Sequence, residues 1–210
     1  MNKLSLILIA VLLYSCDFKS KKAESENNSI PQSVETNSSA KVESEAKREM
    51  QTKSGKSFAV VELHPVGLSL SDIAIVPTGF QQQDSIKIKD ADPIITENGV
   101  ELADLDNNGF EEVYIFTRAV GSGSYGEVYA FASEKDKVLK PIDCSAISET
   151  KTSEFKGYQG HDSFKIEGNA IVRTFPIYKD GDGNASPSGG KKSVPYKLKD
   201  MRLVRKETGI

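Results

Sequence analysis

The chain has 210 residues, with 27 basic and 30 acidic side chains, a formal charge of −3, two histidines, two cysteines and no tryptophan. The slightly acidic balance argues against a nucleic-acid partner. Two cysteines, one of them in the N-terminal apolar segment, exclude a small disulfide-framed scaffold, so stability must come from packing.

Met1-Asn2-Lys3 is a short basic start, and Leu4 to Tyr14 is an apolar run too short to span a bilayer as a helix. The run ends in Leu13-Tyr14-Ser15-Cys16, which resembles the lipobox of bacterial lipoproteins. That resemblance implies a signal peptide over 1–15 and acyl chains on Cys16 that tether the protein to a membrane. It places the folded part in the cell envelope outside the cytoplasm, facing the periplasm or at the outer membrane. Residues 16–57 read as a disordered tether. Lys, Glu, Ser, Asn and Thr dominate, and Phe18, Ile30, Val34 and Val42 are scattered without period. Such a stretch buries too little apolar area to offset its ordering entropy. Glu43 to Lys53 lacks the apolar stripe of a stable helix.

Residues 58–210 are enough for one domain with its own core. Phe58–Leu63 reads as a strand, and Ser71–Val76 as a second that Pro77 ends. Ser85–Lys89 alternates strictly, so one of its faces is solvated. Ile94-Ile95 leads through the turn Asn98-Gly99 to Val100–Leu102. Glu111–Thr117 and Glu127–Ala132 are the arms of a hairpin. Ser163–Ile166 and Ala170–Arg173 flank the turn Glu167-Gly168-Asn169. Phe175–Tyr178 and Val194–Leu198 flank a long polar loop, and Met201–Arg205 either closes the sheet or forms a short helix. About eight short strands without a long amphipathic helix predict an all-β domain, an antiparallel sandwich or flattened barrel.

The hairpin carries the main binding signal. Val113–Phe116 is a mostly apolar strand that stops at Arg118-Ala119-Val120-Gly121-Ser122-Gly123-Ser124-Tyr125-Gly126. Glycines at 121, 123 and 126 suggest positive φ and a tight turn, leaving Ser122, Ser124 and Tyr125 little covered. A rigidly held loop of hydroxyls and one ring suits binding.

Catalytic signals are weak, and the chain reads as a binding protein rather than an enzyme. His64 and His161 stand apart in sequence, and no nucleophile elbow, phosphate loop or metal-spaced histidine cluster is present. No cofactor is implied. Asp104-Leu105-Asp106-Asn107-Asn108-Gly109 resembles the start of a calcium loop, but Ile115 stands where an EF-hand has its twelfth-position glutamate. Self-bonded Asx turns are the preferred reading there, and of Asp180–Asn184 too. Asp104, Asp106, Asn108 and Glu112 form the alternative metal set, which would belong to a calcium-dependent adhesin or glycan-binding module. Cys144 reads as a buried small apolar residue.

Longer blocks carry a family resemblance. Asp104 through Tyr114, then Phe116-Thr117-Arg118, then Gly121-Ser122-Gly123-Ser124-Tyr125, resemble the periplasmic inhibitors of invertebrate-type lysozyme. Gly160-His161-Asp162-x-Phe164, the block from Arg173 to Asp182, Gly189-Gly190 and Tyr196-Lys197-Leu198 fit the same family. The likeness spans about Glu101 to Leu198. It implies a non-catalytic inhibitor that protects peptidoglycan by plugging the active-site cleft of a lysozyme. A Ser-Gly-x-(x)-Tyr loop would enter that cleft. Here it corresponds to Ser122, Gly123, Ser124 and Tyr125, with Arg118 at its base. His161-Asp162 reads as a loop-ordering pair, and Asp180–Gly190 as a connection bordering the binding face.

Overall fold

The computed structural model describes residues 42–81 and 84–206. The expected signal peptide, the expected lipidation site at Cys16 and the expected tether up to residue 41 lie outside the described residues. Twelve strands form three four-stranded antiparallel sheets, and there is no α-helix among the described residues. The first sheet takes β1 (Val42–Gln51), β2 (Ser57–Pro65), β3 (Ser71–Thr78) and β4 (Ile86–Ala91). The second takes β5 (Val100–Ala103), β6 (Glu112–Arg118), β7 (Gly126–Glu134) and β8 (Val138–Pro141). The third takes β9 (Ser163–Glu167), β10 (Ala170–Pro176), β11 (Lys191–Lys199) and β12 (Arg202–Arg205). Each sheet is a meander whose neighbours in space are neighbours in sequence. Short turns suffice for that order.

Several boundaries differ from those expected. Residues 42–57 are not tether: β1 pairs along β2 from Val42↔Pro65 to Gln51↔Ser57. Its polar composition hides it because it is an edge strand, with Ala46, Arg48 and Met50 half-buried between exposed neighbours. Pro77 does not end β3 but pairs with Phe58. Phe175-Pro176 continues β10 instead of starting a new strand; of the two alternatives for Met201–Arg205, the structure has the strand, Arg202–Arg205, at the edge of the third sheet. β8, four residues long and half exposed, gives almost no apolar pattern to read.

Two cores hold the sheets together. Phe58, Val60, Ile73 and Ile75 of the first sheet pack with Val113, Ile115, Phe131 and Leu139 of the second. Tyr114, Phe116, Val128 and Ala130 of the second pack with Phe164, Ile171, Phe175 and Tyr196 of the third. The second sheet therefore buries both faces, and odd and even residues of β6 point into different cores. This explains why Val113–Phe116 is apolar without alternation: the strand has no solvated side. The strand that ends in the Gly-Ser loop is thus among the most completely buried segments of the molecule.

Candidate functional site

The loop joining β6 to β7 springs from the pairs Thr117↔Glu127 and Arg118↔Gly126. The outer edge of β6 is covered there by Pro93–Ile95, through Arg118 N–H to Pro93 O at 3.0 Å and Ile95 N–H to Phe116 O at 2.9 Å. The buried Glu62 carboxylate accepts from Ile94 N–H at 2.7 Å and from Arg48 at 3.3 Å, so the first sheet helps to fix that cover.

The loop's side chains and its backbone face opposite requirements. Val120 is 67% exposed and Tyr125 51% exposed, while Ser122 and Arg118 are also exposed. Yet three consecutive carbonyls are bonded from behind. Ser122 O accepts from Asn184 Nδ2 at 2.7 Å, Gly123 O from His161 N–H at 2.8 Å, and Ser124 O from Asp162 N–H at 3.4 Å. Ala119 N–H donates to Tyr125 O at 2.8 Å, and Ser124 Oγ donates to Gly121 O at 3.0 Å. Ser124 therefore spends its hydroxyl within the loop, whereas Ser122 and Tyr125 present theirs outward. The Tyr125 ring rests edge-on against Tyr158 at 5.8 Å between centroids. A free-standing finger would lose conformational entropy on docking; this one is already held against the third sheet's connections.

The expected role of the glycines needs correction. None of Gly121, Gly123 and Gly126 takes positive φ; the left-handed residue of the loop is Ser124, at 43°. At Gly123 and Gly126 glycine is needed for close approach instead, whereas Gly121 faces open space. A Cβ on Gly126 would lie 2.5 Å from the Phe164 ring and 2.8 Å from Asp162 Cβ, because β7 starts hard against the third sheet. Gly160, behind the loop, has φ +94°, and a Cβ there would sit 1.8 Å from Gly123 O. Gly160→Ala is expected to lower stability by about 2 kcal/mol and to loosen the loop. Thermal denaturation and amide exchange at residues 121–125 check this; unaltered exchange would show that the loop does not need its brace.

Behind the brace lies a buried ion pair. Arg173 Nε donates to Asp162 Oδ1 at 2.7 Å and Nη2 to Asp162 Oδ2 at 3.1 Å, with both side chains almost fully enclosed. Arg173 also donates to Ile147 O at 2.6 Å and to the Tyr158 hydroxyl, which donates in turn to Asp162 Oδ2 at 2.6 Å. The guanidinium lies within 4.8 to 5.6 Å of the Tyr158, Phe155 and Phe175 ring centroids. Burial opposes the charge on Arg173, but Asp162 more than offsets it and holds its pKa above the ordinary value. Burial, reinforced by Asp162, likewise pushes the Tyr158 phenol up, so it stays protonated. Asp162 Oδ2 also accepts from Gly126 N–H at 2.8 Å. One carboxylate thus links the base of the exposed loop to the third sheet.

His161 and the Asp180–Gly190 connection fall where the loop needs them. His161 sits at φ 58°, and its Nε2 lies 3.3 Å from Asn184 Oδ1. Asn184 is held in turn by Tyr178, whose hydroxyl donates to Asn184 O at 2.8 Å. Sequence reading marked the segments but missed Asn184, Gly160, Tyr158 and Arg173 as supports. Gly160 and Arg173 lie within the segments that carry the family resemblance, but a buried arginine is not distinguishable from a surface one by residue type alone.

The acidic segment 104–112 is a different place, at the start of β6. Asp104 accepts from Asn108 N–H at 2.9 Å and Gly109 N–H at 2.9 Å, and Asn108 Oδ1 accepts from Phe110 N–H at 2.8 Å, so the expected Asx turns are present. Glu112 is fully buried, and burial pushes its carboxyl up to about 7 against the bonds it accepts from Leu105 N–H and the Tyr114 hydroxyl. Cys144 is half-buried against the second core and its thiol is pushed up to about 12 by burial, which suits an unreactive packing residue.

Comparison with protein-family models, curated proteins and solved structures finds no match for this chain.

Proposed function

We propose that the protein is an inhibitor of lysozyme, with the invertebrate type as its expected target, which occupies the enzyme's cleft with Ser122 and Tyr125 and catalyses nothing. The observation that carries this reading is the division of labour in the loop. Its carbonyls at 122, 123 and 124 are tied down, while the side chains of Val120, Ser122 and Tyr125 stand in solvent. The likeness of Glu101–Leu198 to the inhibitor family points the same way.

The chemistry matches a glycosidase cleft. Such a cleft presents two carboxyl groups, one of them kept protonated. The Ser122 hydroxyl can accept from the acid and donate to the carboxylate. The Tyr125 ring offers an apolar face where a sugar would lie, with a phenolic donor at its end. Arg118, exposed at the loop's base, can pair with acidic groups on the cleft rim. The layered, sandwich-like stacking of three sheets suits this role, since β6 carries the loop out of the most buried layer. A lipid on Cys16 and the segment behind it would keep the inhibitor at the cell envelope, beside the peptidoglycan it protects.

The test is an inhibition assay of the purified protein against invertebrate-, chicken- and goose-type lysozymes. Loss of invertebrate-type activity at stoichiometric inhibitor is expected. Full activity of all three enzymes would end the proposal.

A further inference from the structure

A second site is built at the opposite end of β6. One carboxylate oxygen from each of Asp104, Asp106 and Glu112 lies within 4.8 Å of the others. Two oxygens that both touch one calcium ion at about 2.4 Å can be at most about 4.8 Å apart, so the three meet the spacing that a shared ion requires. An acidic cluster alone proves nothing, but Glu112 adds an independent observation. It is fully buried, its Oε2 accepts from Leu105 N–H at 2.8 Å and from the Tyr114 hydroxyl at 2.9 Å, and its Oε1 is buried without any partner. A buried carboxylate oxygen left unpaired is costly unless something positive meets it.

We infer that Asp104, Asp106 and the buried carboxylate of Glu112 bind a calcium ion, which pins the β5–β6 connection to the first residue of β6. The donors are all oxygen, which favours a hard cation over zinc or copper. The carboxylates of Asp104 and Asp106 each have lone pairs beyond those used in the Asx turns. Three carboxylates leave room for waters or carbonyls to complete the six to eight oxygens calcium takes. The ion is structural. β6 runs from Glu112 to Arg118, which separates it by about 20 Å from the exposed loop. Ile115 in place of a twelfth-position glutamate is then no defect, because the loop feeds a strand and the buried Glu112 supplies the inner ligand.

Two readouts test this, and neither depends on lysozyme. Calcium at millimolar concentration should raise the melting temperature of the purified protein, relative to the same protein in chelator, by about 5 °C or more. Terbium should show luminescence sensitised through Tyr114, whose hydroxyl touches Glu112, and calcium should compete it away. Glu112→Gln should abolish both effects while its amide oxygen still accepts from Leu105 and Tyr114. Asp106→Asn, at an exposed position, repeats the test should the buried variant fold poorly. A melting temperature indifferent to calcium, or a shift that survives in both variants, would overturn the assignment. Inhibition of lysozyme should be equal in calcium and in chelator at a temperature where both forms are folded.

Discussion

Tyr125→Ala is expected to weaken inhibition of an invertebrate-type lysozyme by at least about thirty-fold, which corresponds to about 2 kcal/mol of binding. The melting temperature should move by less than about 2 °C. The ring is half exposed and touches its own protein through an edge contact with Tyr158 and by lying over the bare backbone of Gly123, so little folding energy is lost with it. In the complex the same ring would be desolvated at the centre of the interface, where aromatic anchors dominate binding. Tyr125→Phe should keep much of the stacking and lose only the phenolic hydrogen bond, about 1 kcal/mol. Ser122→Ala is expected to behave similarly, because the Ser122 hydroxyl is exposed and the loop is held through the Ser122 carbonyl, not its side chain. Inhibition constants and thermal melts of the same preparations check both halves. A double variant that inhibits like the wild type would remove the plug from the account.

Arg173→Met should do the reverse: large damage to stability from a residue that no partner can touch. Arg173 is 1% exposed and Asp162 fully buried. Removing the cation leaves an uncompensated carboxylate inside the protein, which costs about 3–5 kcal/mol. That is a large part of the about 5–15 kcal/mol by which a domain of this size is stable. The double variant Arg173→Met with Asp162→Asn should recover part of the loss, since the buried charge goes with its partner. Asparagine's Oδ1 can still accept from Gly126 N–H, so the recovery should extend to the loop. Denaturant unfolding measures both. Equal stability of the single and double variants would show that the charge on Asp162 is not the cause. At temperatures where Arg173→Met remains folded, inhibition should still fall, because Asp162 joins the third sheet to the base of the loop.

The sequence made the β character of the domain legible because its strands are bounded by Gly, Pro and Asx turns, and those signals are local. It made the Arg118–Gly126 loop legible for the same reason. Strands without a distinct apolar face were missed. β1 has Ala46, Arg48 and Met50 on its inner side, a pattern too polar to separate from a solvated tether. β8 is four residues long. The reason for the glycines was also out of reach. Gly126 and Gly160 are set by the approach of segments far apart in the chain, Gly126 to Phe164 and Gly160 to Gly123, and residue type does not report tertiary proximity. Glu112 shows the same limit. Its position in the loop was visible, but its burial and its unpaired Oε1 arise only when β6 is enclosed on both faces.

The support for the loop comes from three places in the chain: Pro93–Ile95 beside β6, Tyr158–Asp162 behind it, and Asn184 in the long connection after β10. All three lie outside the hairpin itself. A peptide copied from Arg118–Gly126 would therefore lack what holds the carbonyls, and would bind far more weakly than the protein.

The measurement closest to the central claim is the affinity of the purified protein for an invertebrate-type lysozyme, titrated at increasing concentrations of a soluble N-acetylglucosamine oligosaccharide that fills the cleft. Competition for the cleft predicts that the apparent dissociation constant rises in inverse proportion to the fraction of clefts left free. An affinity that stays constant while the cleft is saturated with sugar would contradict it.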